Sequence, residues 1–444
     1  MQTLIIQGGI PLRGEIAVAG AKNVALKAFA SAILTDDRVE ILNVPLIADV
    51  YYMLDVLKSL GIETDIHDHS VQIQSFSLKN TTVPIDIGAR LRTSSLVVGP
   101  LLARFGEARI PNPGGCRIGA RPIDRHIHGL QKMGAKITYH PEDGFFYLQA
   151  SKLHGAEIEF EKNTHTGTEA LILAAVLAEG ETVLKNAACE VEVDDLIRFL
   201  VSMGAQVKRI KEREIVIRGV SKLHGARFSL MPDRNEEVTF ALAAVATGGD
   251  VIVRHSRRAH LGAFLKVFAQ AGGSHEVIDD TTTRYVQKGP IQSTDIVTKP
   301  HPGFMTDWQA PWALYMTQAV GISTIHETVF ESRFSYVSEL RKMGAHIDFF
   351  DPPVQDPESY YNFNWSDRLE GYHQAIRIFG PTPLHDAVVE IDDLRAGATV
   401  LLAALVASGT SYIHGVEQID RGYENIEERF QKLGARITRK EKEL

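Results

Sequence analysis

LQKMGAKITY, residues 130–139, reads as a helix end, a turn and a strand start within ten residues. An apolar run at helical spacing ends at Met133, Gly134 follows, and Lys136 to Tyr139 then alternate. A glycine straight after a helix supplies the positive φ wanted at that position. Alternation behind it is the mark of a half-buried strand. The pattern recurs as LKSLGIETDI (57–66), LVSMGAQVKR (200–209), FAQAGGSHEV (268–277), LRKMGAHIDF (340–349) and FQKLGARITR (430–439). Its glycines, Gly61, Gly134, Gly204, Gly272, Gly344 and Gly434, are spaced 73, 70, 68, 72 and 90 residues apart.

Upstream of each copy stands a second pattern, an apolar helix, a small loop and a short strand. Examples are LARFGEARIPN (102–112), LAEGETVLKNA (177–187) and VASGTSYIHGV (406–416); LTDDRVEILNV (34–44) replaces the glycine with Asp36-Asp37. The unit is therefore helix–strand–helix–strand, and six units span nearly the whole chain. Solenoid repeats run to about 20–50 residues. Longer units fit compact lobes better, so three per lobe predicts two α/β domains with a ligand cleft between them. The length alone, at about 150 residues per domain, suggests three. The long last spacing comes from 349–374, rich in Pro, Asp, Asn and Tyr, which reads as an inserted surface loop.

The 444 residues are 44% hydrophobic and 23% charged, which excludes a disordered chain or a disulfide-dense mini-protein. A net charge of −8 argues against a nucleic-acid partner, because backbone binding needs basic surface. The N-terminal MQTLIIQGG lacks the pattern of a signal peptide. The longest apolar runs, Leu171 to Ala178 and Ala398 to Ala407, fall short of the ~20 residues that span a membrane. Two isolated cysteines, Cys116 and Cys189, fit a reducing compartment. The expectation is a soluble cytoplasmic protein with neither nucleic-acid nor membrane partner. Phosphate-loop, dinucleotide, nucleophile-elbow and HExxH motifs are missing. The cluster Asp65, His67, Asp68, His69 reads as an exposed strand end, so no metal and no cofactor are expected.

Chemistry concentrates in a few stretches. PNPGGCRIGARPIDRHIH (111–128) is too rich in Gly and Pro for a regular element. It carries Cys116 beside Arg117 and Arg121, a setting that favours a usable thiol proton. Cys189, among carboxylates and apolar residues, reads as structural. Lys22 and Asn23, in GAKN before an apolar helix, fit either an anion docked at the helix start or an N-cap Asn beside a solvated Lys. Arg92, Arg333, Arg395 and Arg421 stand at unit junctions, where a guanidinium fork can hold carboxylate or phosphate. Asp307, in a Gly/Pro-rich approach to a helix, reads locally as an N-cap.

Taken together, GAKN (20–23), RTSSLVVGPLLARFG (92–106), PGGCRIGARPID (113–124), PDR (232–234), HPGFMTD (301–307), ETVFESRF (327–334), DLRA (393–396) and IDRGYE (419–424) resemble the enolpyruvyl transferases along nearly the whole chain. The resemblance implies an inside-out α/β barrel of two lobes, each three βαβαββ repeats. It implies one lobe at 22–231 with the cysteine lid loop, and the other at 1–21 and 232–444 with the insertion near 350–374. The implied reaction is transfer of the enolpyruvyl group of phosphoenolpyruvate to the 3′-hydroxyl of UDP-N-acetylglucosamine, with release of phosphate. That is the first committed step of peptidoglycan precursor synthesis. By the same resemblance Cys116 donates a proton to C3 or assists product release, and Asp307 is the base near the attacking hydroxyl. Lys22, Asn23, Arg121, Arg395 and Arg421 surround phosphoenolpyruvate. Arg92, Arg121, Pro122, Ile123, Asp124, Arg125, Lys162, Asn163, Thr164, His165, Asp307 and Val329 contact the nucleotide sugar. Cys116 would also be the residue alkylated by fosfomycin. The chain departs from the family at Thr164-His165-Thr166-Gly167-Thr168, where Ser-Val-Gly-Ala-Thr is usual, and Arg125 replaces an apolar residue. Two further readings stay open: a divergent enolpyruvyl transferase acting on another nucleotide sugar, and a non-catalytic anion-binding homologue. The oligomeric state is not legible.

Overall fold

Gly61, Gly134, Gly204, Gly272, Gly344 and Gly434 all adopt φ between +86° and +97°, the left-handed region where a side chain would strain the turn. Each closes a helix and opens a strand, as the repeat requires. The computed structural model describes residues 2–114, 119 and 122–441. Cys116, Arg117 and Arg121 lie outside the described residues. The chain divides into two units. Unit 1 comprises Met1–Ala19, Arg117–Arg121 and Pro232–Leu444; unit 2 comprises Gly20–Cys116 and Pro122–Met231.

One repeat shows how the pattern folds. Strand Glu157–Glu159 leads through helix His165–Ala175 to strand Glu181–Lys185, and the two strands pair in parallel, Leu184 opposite Ile158. Helix Val191–Ser202 leads on to the hairpin Gln206–Lys211 and Glu214–Arg218, which pairs antiparallel with Glu181–Lys185. This is a βαβαββ unit. Among the described residues there are five four-stranded sheets and one of three strands. The shorter sheet belongs to the second repeat. Its fourth strand shrinks to a single parallel bridge, Thr82 with Arg109. Pro84, just beyond, caps the short helix Ile85–Gly88 and has no N–H to extend a ladder.

Within each unit the inner helices are buried on nearly every face. In unit 2 they are Lys22–Ser31, Val98–Phe105 and His165–Ala175; in unit 1 they are Arg234–Ala246, Thr306–Thr317 and Leu394–Val406. A helix that is apolar all round belongs in a core. The runs at 171–178 and 398–407 meet that condition, and no helix of the described residues is long and apolar enough to cross a membrane. Gly99 lets two inner helices touch: a Cβ there would stand 2.9 Å from the Ala170 carbonyl oxygen. The outer helices, such as Asp124–Lys132 and Val191–Ser202, bury one stripe against the sheets.

The segment 349–374 is more than a surface loop. It folds as the short helix Pro357–Tyr360 and a 3-10 turn, Trp365–Asp367. Tyr361 and Phe363 are buried, Tyr361 stacks on Trp365 at 4.7 Å between centroids, and its hydroxyl meets His326 Nε2 at 3.0 Å. The aromatic residues anchor the insertion to the sheet of its own repeat, which composition alone did not foretell.

Candidate active site

In unit 1 the chemistry gathers at the start of the inner helix Thr306–Thr317. Met305 holds the N-cap position, so Asp307 is the second helical residue and not a cap. Its side chain meets two guanidiniums. Arg333 Nη2 donates to Asp307 Oδ1 at 2.8 Å, and Arg395 Nη2 stands 3.5 Å from Oδ2. Arg333 also donates through Nε to Thr306 Oγ1 at 3.2 Å, and Thr306 donates in turn to Glu327 Oε2 at 2.9 Å. The other Glu327 oxygen accepts from the backbone N–H groups of Val329, at 2.8 Å, and Phe330, at 3.1 Å. Glu327 thus positions the Val329 turn and steadies Arg333. Burial pushes its carboxyl above the ordinary carboxylate range, against the pull of Arg333.

Arg395 is fixed from both ends. Its own N–H caps onto Asp393 Oδ2 at 3.0 Å, and Nη1 donates to Tyr423 Oη at 2.9 Å. Burial works against its charge, yet Tyr423, Asp307 and Asp233 together hold the guanidinium well above its ordinary value. Burial opposes the Arg333 charge in the same way, and Asp307, Asp393 and Glu327 outweigh it. Arg421 lies at the end of the short helix Glu417–Asp420 and donates to Gln418 Oε1 at 3.3 Å. The result is a carboxylate with 23% of its side chain exposed, set between two buried permanent cations. Such an arrangement can orient an incoming hydroxyl and stabilise anionic charge beside it.

In unit 2 the first inner helix begins at Lys22, and its N-cap is Ala21, which offers no side-chain cap. Asn23 is therefore not the cap, nor is Lys22 solvated: its Nζ lies 2.6 Å from Asp49 Oδ2, with both side chains largely buried. Arg92 Nη1 donates to the Pro113 carbonyl at 3.3 Å. Pro122 is exposed, Ile123 is the buried N-cap residue of helix Asp124–Lys132, and Asp124 and Arg125 open that helix. Lys162 is buried, and Asn163 Nδ2 reaches the Asn186 carbonyl at 3.3 Å. Thr164 caps helix His165–Ala175 by accepting from Gly167 N–H at 3.2 Å.

His165 opens that helix, with Nε2 3.1 Å from Oε1 of the fully buried Glu169. Lys27, on the Lys22–Ser31 helix, approaches Glu169 Oε2 to 3.4 Å and donates to the Asn23 carbonyl. Burial pulls the His165 imidazole down, but Glu169 overrides it and the net shift is upward. His126 behaves oppositely. It is buried without a hydrogen-bond partner on either ring nitrogen, against a cavity of about 20 Å³ lined also by Ser95, Ile123 and Phe146. Burial, assisted by Arg92, drops its pKa to about 4.

The structure thus joins Asp307 to Arg395 and adds Arg333, to which the resemblance gave no role. Tyr423, Glu327, Asp49, Glu169 and Lys27 were not singled out by sequence. Two left a signal: Glu169 lies four residues after His165, and Tyr423 follows Arg421 within IDRGYE.

The family model for EPSP synthase (3-phosphoshikimate 1-carboxyvinyltransferase) matches residues 6–430. The chain belongs to this family of enolpyruvyl transferases. It is 45% identical over 443 residues to the UDP-N-acetylglucosamine 1-carboxyvinyltransferase of Acidobacterium capsulatum, covering 99% of this chain and 96% of that relative. It is 42% identical over 443 residues to the protein of that name from Koribacter versatilis, with the same coverage. The crystal structure of the enolpyruvyl transferase NikO from Streptomyces tendae superposes with a TM-score of 0.86 over 99% of this chain and 98% of that one, at 22% identity. That likeness supports the α/β inside-out fold, with helices within and sheets outside.

Proposed function

We propose that this protein transfers the enolpyruvyl group of phosphoenolpyruvate to the 3′-hydroxyl of UDP-N-acetylglucosamine, releasing phosphate. The carrying observation is near-full-length identity of 45% and 42% to relatives named for that reaction. The Asp307 cluster agrees with it, since Asp307 sits between Arg333 and Arg395 as a hydroxyl-directed carboxylate needs.

In this reading the 3′-oxygen attacks C2 of phosphoenolpyruvate and its proton passes to Asp307. The Cys116 thiol supplies a proton to C3, giving a tetrahedral ketal. C3 then loses a proton as the C2–O bond to phosphate breaks. Lys22, Asn23, Arg121, Arg395 and Arg421 carry the phosphate and carboxylate charge. Arg92, Pro122 to Arg125, Lys162 to His165 and Val329 hold the nucleotide sugar. Preorganised cations lower such a barrier because they need no rearrangement as charge develops. The reaction needs no cofactor. It stands at the head of peptidoglycan precursor synthesis, in the cytoplasm.

A second reading, transfer to a different nucleotide sugar, is favoured by one observation: His165 brings an ion pair to a segment where the family usually has valine. Phosphate release measured with each substrate alone and together decides. The expected result is release only with the pair, and a lower kcat/KM for every other uridine or thymidine sugar. A higher value for another sugar favours the second reading.

A further inference from the structure

His165 stands out because its two ring nitrogens face different surroundings. Nε2 is buried against Glu169, whereas Nδ1 is not buried and a quarter of the side chain is exposed. Three charged groups bear on the ring: Glu169 from its own helix, Lys27 from Lys22–Ser31 and Glu190 at the head of Val191–Ser202. The two carboxylates favour a second ring proton and Lys27 opposes it. With Nε2 turned to Glu169, that protonated ring presents Nδ1–H outward. Glu169 is fully buried, and Lys27 ties it to the backbone carbonyl of Asn23.

We propose that His165, held through Glu169 and Lys27, makes a proton-dependent contact to the anionic diphosphate of the nucleotide sugar, so that capture of this substrate weakens as pH rises. The inference rests on the function proposed above, which places the Lys162 to His165 segment at the nucleotide sugar. A valine at this position offers no donor, so the contact would be particular to chains with histidine here. His165 acts on binding and not on the reacting atoms, so it is a specificity residue. By linkage, if the protonated ring binds the diphosphate better, the diphosphate must raise the affinity of the ring for its proton.

The experiment measures KM for UDP-N-acetylglucosamine from pH 6 to 9 at saturating phosphoenolpyruvate, for the unaltered chain, His165→Val and His165→Lys. In the unaltered chain KM should rise by about tenfold across this range, the scale of one charge-assisted hydrogen bond. His165→Val should show a high KM without that rise, and His165→Lys a low KM without it. A proton NMR titration of the His165 ring should shift upward on adding uridine diphosphate. An unchanged pH profile in His165→Val, or a ring titration indifferent to uridine diphosphate, overturns the inference while leaving the reaction standing. No phosphate release by the unaltered chain with the substrate pair overturns the proposed reaction, and the inference with it.

Discussion

Asp307 and Glu169 are both carboxylates set between two cations, yet they are built for different work. Asp307 meets two arginines, and 23% of its side chain remains exposed. Glu169 meets Lys27 and His165 and is fully buried. Arginine stays charged throughout the working range, so the two partners of Asp307 do not titrate near neutrality. Histidine does not, so the Glu169 cluster carries the pH sensitivity. Exposure leaves Asp307 available to a reactant, whereas Glu169 acts only through what it holds. Burial of a carboxylate between two cations therefore does not define a role; the identity of the partners and the access of the oxygen do.

The comparison can be broken most sharply at Asp307. Asp307→Asn keeps the shape and removes the proton acceptor, and kcat should fall by about 10²–10⁴-fold. An activity within tenfold of the unaltered chain would make Asp307 merely structural. Next comes the partner. Arg333→Met leaves Glu327 and Asp307 without their shared guanidinium, and urea unfolding should show a loss of about 3–5 kcal/mol. A loss below 1 kcal/mol would mean that Arg333 is not what offsets the burial of Glu327.

The two histidines of unit 2 sharpen the contrast further. At His126 burial outweighs the pull of Asp124 and Glu169, and its pKa falls from 6.5 to about 4. As pH drops between those values the unfolded chain takes up a proton that the folded chain refuses, so stability falls with falling pH. The loss approaches about 3 kcal/mol near pH 4, and His126→Leu should escape it. His165 runs the other way. Its raised pKa gives stability that is complete below the unfolded value and is lost as pH rises through the folded value. His165→Val should remove that decline in denaturant titrations above pH 6.5. Equal pH dependence in the two variants would erase the distinction between the histidines.

Much of the fold was legible because the repeat is local. A helix end, a left-handed glycine and an alternating strand occupy ten consecutive residues, so Gly61 to Gly434 announced six units without tertiary information. The reduced sheet of the second repeat escaped because Thr82 and Arg109 meet only in three dimensions. The insertion looked like a loop because its anchor, Tyr361 on Trp365 and His326, joins residues distant in sequence. Asp307 gained its role only through the resemblance, since alone it reads as a helix cap; its meeting with Arg395, 3.5 Å apart, joins residues distant in sequence. Local rules left a helix cap and an anion site open at Lys22 and Asn23; the cap falls away because Ala21 holds that position, and the ion pair that holds Lys22 comes from Asp49 on another helix. Cys116 and Arg121, prominent in sequence, lie outside the described residues.

The central claim concerns which bond is made. Incubation with phosphoenolpyruvate and UDP-N-acetylglucosamine, followed by mass spectrometry of the nucleotide sugar and a phosphate count, tests it directly. The account predicts a nucleotide sugar heavier by one enolpyruvyl group, with phosphate released mole for mole. A nucleotide sugar of unchanged mass would contradict it.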